Sequence, residues 1–346
     1  MKYKRFLTAL AAGVLALGLV ATPGYATERP LAGDMSSAPT RAMDCPRVVP
    51  SQHFDSSAAM IEAANDYAKS SPAHIISAAA LFDIVRTKDA GYQIVDVRSA
   101  AHYALGHIDG AINIPFTTIA DDASLAQLDA SKKIVVVCYT GETSSMTTMV
   151  WGMLGYDTRA LLFGMSGWVA DKAIVGMDIP SGVAAGYPTT VVPTEARRTY
   201  RAPKLGSRYA NVTEAVKGQT KAYFAKGLAP VMTASQVQGV IGSDDPGYQV
   251  ISVRETADYA TGHIAGAPNL VWSDLANQMT KLDPNKKVVV YCYTGNLGGE
   301  YAMLLNLMGY EAYNMMSGMS AWNSDPTVGG VSGFNPAAVL NYYTVK

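Results

Sequence analysis

Short apolar runs alternate with helix-like periodicity along the first half of the chain. Three of these runs are rich in β-branched residues and bounded by turn-forming residues, which is typical of buried β-strands. They are QIVDV (93–97), KIVVV (133–137) and RALL (159–162). The sequence therefore predicts three core strands in this half.

The segment after the second strand has the periodicity of an amphipathic helix. Its apolar residues recur three and four positions apart, which places them on one face against a core. These residues are Met146, Met149, Val150, Met153 and Leu154, and the second half repeats the pattern at Met303, Leu304, Leu307 and Met308. Gly155 and Gly309 are expected to end these helices. Ser77 and Thr233 are expected to cap the helix before the first strand of each half.

The same order of segments occurs twice. GYQIVDVRSAAHYALGHIDGAIN from Gly91 matches GYQVISVRETADYATGHIAGAPN from Gly247, and KKIVVVCYTG from Lys132 matches KKVVVYCYTG from Lys286. This repeat is far longer than the roughly 20–50 residues of a solenoid unit, so it indicates a duplicated domain. Alternating strands and helices predict an α/β fold in each copy, with a mainly parallel sheet and helices on both faces.

The repeat sets the predicted domain boundaries. We expect domain 1 at residues 60–180 and domain 2 at 212–335, joined by a polar linker at 181–211 that is rich in Pro and Gly. Residues 27–59 are expected to be a flexible N-terminal segment, and residues 336–346 a C-terminal tail. A chain of 346 residues agrees with two domains, because one hydrophobic core rarely organises so many residues.

Residues 1–26 have the pattern of a secretory signal peptide. Lys2, Lys4 and Arg5 form a positive beginning, an apolar core follows at 6–20, and small residues before position 27 allow cleavage. We therefore expect an exported protein, periplasmic or extracellular, without a membrane span after cleavage. A retained N-terminal anchor is the alternative.

The composition excludes some classes of partner. With a net charge of −1 and 16% charged residues, the chain lacks the basic surface of a nucleic-acid-binding protein. The five histidines and three cysteines do not have the spacing of a zinc site. Neither a metal nor an organic cofactor is predicted.

Two of the three cysteines occupy the same position in the two copies. Cys138 and Cys292 each follow a predicted strand and precede a predicted helix, which places the sulfur where ligands bind in α/β sheets. Unpaired N–H groups at a helix N-terminus stabilise anions and therefore favour a nucleophilic thiolate. Gly141 and Gly295 are expected to adopt positive φ, which lets the loop fold back around the sulfur. Cys45 lies outside both copies and is expected to be an unimportant or intermolecular thiol.

These segments resemble the rhodanese family of sulfurtransferases. The resemblance rests on DVRSAAHYALGHIDGAINIP, VVVCYTG and GYDTRALLFGMSGW, which occur in this order with counterparts in the second copy. It implies that Cys138 and Cys292 carry a sulfane sulfur as a persulfide, taken from a small donor such as thiosulfate and passed to a thiol or protein acceptor. It also implies that the loop after each cysteine cradles this sulfur. The loop residues are Tyr139, Thr140, Gly141, Glu142 and Thr143 in copy 1, and Tyr293, Thr294, Gly295, Asn296 and Leu297 in copy 2.

Two departures from the family pattern bear on the donor. Rhodanese loops often carry Arg or Lys, whereas neither loop here contains a cation and the first contains Glu142. A carboxylate near the sulfur would oppose thiolate formation and repel thiosulfate. We therefore expect weak activity with thiosulfate, and a polysulfide, a protein persulfide or another chalcogen compound as donor. Copy 2 also has Ser252 where copy 1 has Asp96.

Other functions remain open at this point. The chain could be a non-catalytic scaffold that kept the fold, with the two cysteines as small buried hydrophobic residues. The cysteines could instead form a redox pair, including a Cys138–Cys292 disulfide, that handles oxyanions or disulfides. Phosphatases and arsenate reductases of related fold need an Arg six residues after the cysteine. This chain has Ser144 and Gly298 there, which argues against that class.

Five further polar residues are predicted to support the fold rather than to bind substrate. Asp96, Arg98 and Arg254 belong to the segment after the first strand of each copy and are expected to form polar pairs. His107 and His263 occupy the two GHI segments, and each is expected to be a structural histidine in a turn.

Overall fold

The computed structural model describes most of the chain from residue 54 onward. The described residues are 54–70, 74–178, 180–196, 198–206, 208–243, 245–274, 278–329 and 333–346. The predicted signal peptide, Cys45 and most of the predicted N-terminal segment lie outside them. Within the described ranges, none of the helices is long and apolar enough to cross a membrane.

Domain 1 is built on a five-stranded parallel sheet. Its elements are α1 (Ser56–Ser70), β1 (Ile75–Ile76), α2 (Ala78–Thr87), β2 (Tyr92–Asp96), α3 (Ala100–Leu105), β3 (Ala111–Asn113), α4 (Asp122–Leu125), β4 (Lys133–Val137), α5 (Glu142–Met153), β5 (Thr158–Leu161), α6 (Gly164–Trp168) and α7 (Lys172–Val175). The strand order is β1-β5-β4-β2-β3, so β4 lies in the middle of the sheet.

Domain 2 repeats this arrangement with a four-stranded parallel sheet. Its elements are α8 (Val212–Ala225), β6 (Val231–Met232), α9 (Ala234–Gly242), β7 (Tyr248–Ser252), α10 (Thr256–Thr261), β8 (Lys287–Tyr291), α11 (Asn296–Leu307), β9 (Ala312–Met315), α12 (Gly318–Trp322) and α13 (Pro326–Gly329). The strand order is β6-β9-β8-β7. At the edge where domain 1 has β3, domain 2 has a single parallel bridge between Ser252 and Asn269.

The predicted α/β fold and its local signals are confirmed. The strand at 133–137 has the predicted bounds, and the strands on either side of it in the sequence begin one residue earlier than predicted. Ser77 caps α2 by accepting a hydrogen bond from an amide N–H, and Thr233 forms a capping box at the start of α9. These hydroxyls satisfy N–H groups that the first helical turn leaves unpaired.

The two domains share one continuous hydrophobic core. Helices α5 and α11 pack against each other, and their buried residues belong to a single cluster that also includes α1 and α8. The predicted helical faces contribute Met146 and Met149 from domain 1 and Met303 and Leu304 from domain 2 to this cluster. Because α5 and α11 begin directly after the cysteine loops, this packing brings the two loops to the domain interface.

Each domain is completed by the segment that follows the other domain. The linker runs over domain 2, where the Tyr187 N–H donates to the Trp322 carbonyl at 3.0 Å. The C-terminal tail runs over domain 1, where the Tyr342 N–H donates to the Trp168 carbonyl, also at 3.0 Å. The linker and the tail are therefore part of the folded unit, and this exchange ties the two copies to each other.

Candidate functional site

The first cysteine loop folds back on its own sulfur. Cys138 follows the central strand β4, and its side chain is 1% exposed. The Gly141 N–H donates to Cys138 Sγ at 3.0 Å, and the Ser144 hydroxyl lies 3.4 Å from the same sulfur. Ser144 Oγ also donates to the Gly141 carbonyl at 2.9 Å, which fixes the loop. Gly141 has the predicted positive φ, at 106°.

The second loop repeats this geometry around Cys292, which is also 1% exposed. The Gly295 N–H donates to Cys292 Sγ at 3.2 Å, and Gly295 has φ of 92°. Burial raises the pKa of the Cys292 thiol, while hydrogen bonds from the backbone N–H groups of Gly298, Thr294, Gly295 and Leu297 oppose this rise. The loop therefore offers anion-binding donors to a sulfur that burial keeps mainly protonated.

The two loops are braced by different side chains. Copy 2 has Gly298 at the position of Ser144, and in its place Asn314 from β9 donates to the Gly295 carbonyl at 2.7 Å. A Cβ at Gly298 would lie 2.5 Å from Asn314 Oδ1, so the amide occupies the space of a side chain at that position. The brace role of Asn314 was not predicted from the sequence, because it depends on the pairing of β9 with β8.

The tyrosine after each cysteine ties its loop to a helix of the same domain, α3 after β2 in domain 1 and α10 after β7 in domain 2. Tyr139 Oη lies 2.8 Å from His102 Nδ1 in domain 1. Tyr293 Oη donates to Asp258 Oδ2 at 2.6 Å in domain 2. His102 and Asp258 occupy equivalent positions in the repeat, and no motif or spacing in the sequence selects either of them.

The predicted loop residues Glu142 and Asn296 face the opposite domain. Glu142 is buried, and its carboxyl group accepts hydrogen bonds from the Thr140 hydroxyl and from the Ser317 N–H of domain 2. Asn296 donates to the Gly141 carbonyl of domain 1 at 3.2 Å. Burial raises the pKa of Glu142, which favours its neutral form. The expected repulsion between this carboxylate and the sulfur is reduced accordingly.

The side chains of the remaining loop residues either enter the first helical turn or orient a neighbouring side chain. Thr143 and Leu297 are half-buried in the first turns of α5 and α11. Thr294 donates from its hydroxyl to Asn296 Oδ1 at 3.2 Å, as Thr140 does to Glu142. Each threonine therefore orients the side chain that crosses the interface.

Both loop cysteines are free thiols. The alternative of a Cys138–Cys292 disulfide is therefore not realised in this structure. The two GHI histidines are structural, since His107 Nδ1 and His263 Nδ1 lie 3.1 and 3.0 Å from the carbonyl oxygens of Tyr103 and Tyr259.

The predicted pairing of Asp96 with Arg98 is confirmed, and both residues are buried. Arg98 donates from Nε and Nη2 to the Asp96 carboxylate, with a shortest distance of 2.7 Å. In copy 2, Ser252 replaces the aspartate, and Nε of the buried Arg254 has no hydrogen-bond partner among the described residues. The Tyr291 ring lies 5.8 Å from Arg254 and supplies a cation–π contact instead.

A second buried carboxyl group lies between the domains, farther along the α5–α11 interface. Glu300 of α11 has His74 Nδ1 at 3.3 Å, the Tyr67 hydroxyl at 3.4 Å and the Thr148 hydroxyl at 3.3 Å. Burial raises the pKa of Glu300, and the hydrogen bond and charge of His74 oppose that rise. The Glu300 side chain therefore joins α11 of domain 2 to α1, His74 and α5 of domain 1.

Replacing this acid, as Glu300→Gln, is expected to change how stability depends on pH. The folded-state pKa of Glu300 lies above 4.5, so between these two pH values the folded protein binds a proton that the unfolded chain does not. The stability that the protonated side chain contributes is therefore lost as the pH rises through the folded-state pKa. The variant should lose less unfolding free energy than the wild type as the pH rises above 4.5, by at most about 1.4 kcal/mol per pH unit. Urea unfolding at several pH values measures the slope of unfolding free energy against pH for the wild type and for the variant.

Glu311→Gln is the matched control. Burial raises the pKa of Glu311, but hydrogen bonds from Tyr313 and Lys287 outweigh it and lower the pKa. This control should leave the slope above pH 4.5 as it is in the wild type. Equal slopes for the wild type and Glu300→Gln would show that Glu300 titrates normally.

The sequence model of a family described as "Rhodanese-like domain" matches residues 83–171 and 234–325, which together exceed half of the chain. The chain belongs to the rhodanese-like domain family. The two matches fall on the two copies of the repeat, and each includes one cysteine loop. The family prediction made from the repeated segments is therefore confirmed.

Several curated proteins are similar to this rhodanese-like chain. A thiosulfate sulfurtransferase of Corynebacterium glutamicum is 28% identical over 272 residues, covering 69% of this chain and 84% of that protein. Thiosulfate sulfurtransferase GlpE of Pseudomonas paraeruginosa is 34% identical over 98 residues, covering 28% of this chain and 84% of that protein. The HTH-type transcriptional regulator Rv0324 of Mycobacterium tuberculosis is 32% identical over 109 residues, covering 30% of this chain and 45% of that protein. The first two relatives support a rhodanese-type sulfurtransferase.

Proposed function

We propose that the protein is an exported sulfurtransferase that carries a sulfane sulfur as a persulfide on Cys138 and Cys292. The observation that carries this proposal is the geometry of the two loops. In each copy the sulfur follows a central strand and accepts a hydrogen bond from the glycine N–H three residues later. A persulfide bears its negative charge on the outer sulfur, and backbone N–H donors stabilise such a charge.

The proposed reaction has two displacement steps. In the first, the cysteine thiolate attacks the outer sulfur of the donor, the S–S bond of the donor breaks, and the shortened donor leaves with the electron pair. In the second, an acceptor thiolate attacks the outer sulfur of the cysteine persulfide and releases the cysteine thiolate. Neither step requires a metal or a redox cofactor, because one S–S bond replaces another.

We propose a polysulfide or a persulfide as the donor rather than thiosulfate. The two loops contain no Arg or Lys, so they lack the cation that would hold the sulfonate group of thiosulfate. Hydrogen bonds from the backbone suit the polarisable terminal sulfur that a polysulfide or a persulfide presents. The export part of the proposal is supported by the signal-like N-terminal segment alone.

A non-catalytic binding protein is the second candidate, and the burial of both sulfurs favours it. Each cysteine is 1% exposed, so a donor reaches the sulfur only if the site opens. A scaffold would use the paired domains to hold a partner and would have no need of sulfur loading.

Mass spectrometry of the full chain after incubation with polysulfide or thiosulfate separates these candidates. We expect the peptides of Cys138 and Cys292 to gain the mass of one sulfur atom, more completely with polysulfide, and to lose it on treatment with cyanide. The peptide of Cys45 serves as the internal control for unspecific thiol oxidation. Absence of the adduct from both loop cysteines, while a denatured sample still reacts, would refute the sulfurtransferase proposal and favour the scaffold.

A further inference from the structure

The residues that follow the two loop glycines are polar but inaccessible to solvent. Glu142 and Asn296 are 2% and 1% exposed, and they occupy equivalent positions at the first residues of α5 and α11. Burial of polar groups is costly unless their hydrogen bonds are made. The partners that satisfy these two side chains therefore indicate what they do.

We infer that Glu142 and Asn296 are positioning residues that act across the domain interface, each holding the cysteine loop of the other copy. The inference deepens the proposed function, because it assigns the support of each sulfur site to a residue of the opposite site. It rests on the hydrogen bonds and close contacts described next.

Glu142 supports the site of Cys292. Its Oε1 accepts the N–H of Ser317 at 3.0 Å, at a turn where Ser317 has φ of 56°. The next residue, Gly318, packs so closely on the loop that an added Cβ would lie 2.6 Å from the Cys292 carbonyl oxygen and 2.9 Å from the Gly295 nitrogen. Fixing this turn therefore fixes the backbone that presents the Gly295 N–H to the sulfur.

Asn296 supports the site of Cys138. Its Nδ2 donates to the Gly141 carbonyl at 3.2 Å and to Ser145 Oγ at 3.0 Å. The same Gly141 donates its N–H to Cys138 Sγ. An added Cβ at Gly141 would lie 3.0 Å from Asn296 Nδ2, so the glycine and the amide are in close contact. The amide thus restrains the residue that contacts the sulfur.

The two residue types match the groups they hold. The Ser317 turn presents an N–H and needs an acceptor, which the carboxyl oxygen of Glu142 supplies. The Gly141 carbonyl needs a donor, and an amide supplies one whereas an ionised carboxylate does not. This complementarity accounts for the difference between the two loops at this position. It also couples the two sulfur sites mechanically, since side chains of both domains hold each loop.

The first experiment measures the reactivity of Cys292 when Glu142, in the other copy, is substituted. In a Cys45→Ser/Cys138→Ser background, Glu142→Ala removes the acceptor and Glu142→Gln keeps one. We expect Glu142→Ala to slow persulfide loading of Cys292 from polysulfide by roughly tenfold, the effect of losing one buried hydrogen bond. Glu142→Gln should stay within about threefold of the background. The rate of iodoacetamide alkylation and the NMR signal of isotope-labelled cysteine Cβ are recorded for each variant.

The second experiment measures the reactivity of Cys138 in a Cys45→Ser/Cys292→Ser background when Asn296 is substituted. Asn296→Ala and Asn296→Asp both remove the donor to Gly141, and Asn296→Asp keeps the size and the acceptor for Thr294. We expect both variants to slow persulfide loading of Cys138 by roughly three- to tenfold, to change its rate of alkylation and to shift its Cβ signal. Thermal unfolding midpoints establish that each variant is folded when it is measured.

The outcomes separate the inference from the proposed function. Unchanged rates and an unchanged Cβ signal at the opposite cysteine would overturn the inference. So would equal effects of Glu142→Ala and Glu142→Gln, which would assign the effect to charge rather than to position. If neither cysteine accepts sulfur from polysulfide, the proposed function fails, and the alkylation rates and Cβ signals still decide whether the support crosses the interface.

Discussion

The variant Cys138→Ser/Cys292→Ser is expected to lose sulfur transfer by roughly a thousandfold or more. Serine keeps the size of the side chain but replaces the nucleophilic sulfur with a hydroxyl that does not form a persulfide. Both cysteines are buried in loops that present N–H groups to the sulfur. The described residues contain no other cysteine that could replace them. The loss is measured as the rate at which a thiol acceptor becomes a persulfide when polysulfide is the donor.

The single variant Cys138→Ser is expected to show a strong dependence of the transfer rate on pH. In Cys138→Ser the remaining loop cysteine is Cys292, and burial raises the pKa of that thiol above its ordinary value of 9.0. Its thiolate fraction, and with it the transfer rate, should therefore rise about tenfold per pH unit throughout the range below that value. A rate independent of pH in this variant would show that Cys292 reacts as a preformed thiolate.

Cys45→Ser is the control for both measurements. Cys45 lies outside the repeat, and its replacement should leave the transfer rate unchanged. Full transfer by the double variant Cys138→Ser/Cys292→Ser would contradict the assignment of the two nucleophiles.

Much of each domain could be predicted from the sequence because the relevant signals are local. The apolar run at 133–137 is a strand with those bounds, and Ser77 and Thr233 cap the predicted helices. Gly141 and Gly295 have the positive φ that a loop folding back on its first residue requires. Each of these features depends on fewer than a dozen neighbouring residues, and the repeat displays each of them twice.

The support of the site could not be predicted because it depends on contacts between distant segments. Glu142 was expected to act on the nearby sulfur, whereas its carboxyl group accepts hydrogen bonds from the Thr140 hydroxyl and from the Ser317 N–H of the other domain. Asn314 reaches the second loop only because β9 pairs with β8. The exchange of the linker and the tail between domains likewise joins residues that are far apart in the sequence. A single sequence contains no signal for such pairs.

The two copies also differ in how they handle a buried arginine. Arg98 is held by the Asp96 carboxylate, whereas Arg254 has the Tyr291 ring beside it and Ser252 in place of the acid. Copy 1 has Val137 at the position of Tyr291, so it has no aromatic ring to offer at that position. Domain 1 therefore depends on its carboxylate in a way that domain 2 does not.

Asp96→Ser, which gives copy 1 the residue of copy 2, is expected to lower the free energy of unfolding by about 3–5 kcal/mol. The substitution leaves the guanidinium of Arg98 buried without a counter-charge; its Nε loses its acceptors, and its Nη2 keeps only the Gly106 carbonyl. Urea unfolding with an unchanged m-value measures the loss as a lower midpoint.

Asp83→Ser is the matched control, because Asp83 pairs with Arg86 at 3.1 Å on the surface, where such a pair contributes about 1 kcal/mol or less. If Asp96→Ser costs no more than this control, the buried pair does not hold domain 1 together, and Arg98 must be satisfied by the backbone carbonyls of Gly106 and Ile174 that it also contacts.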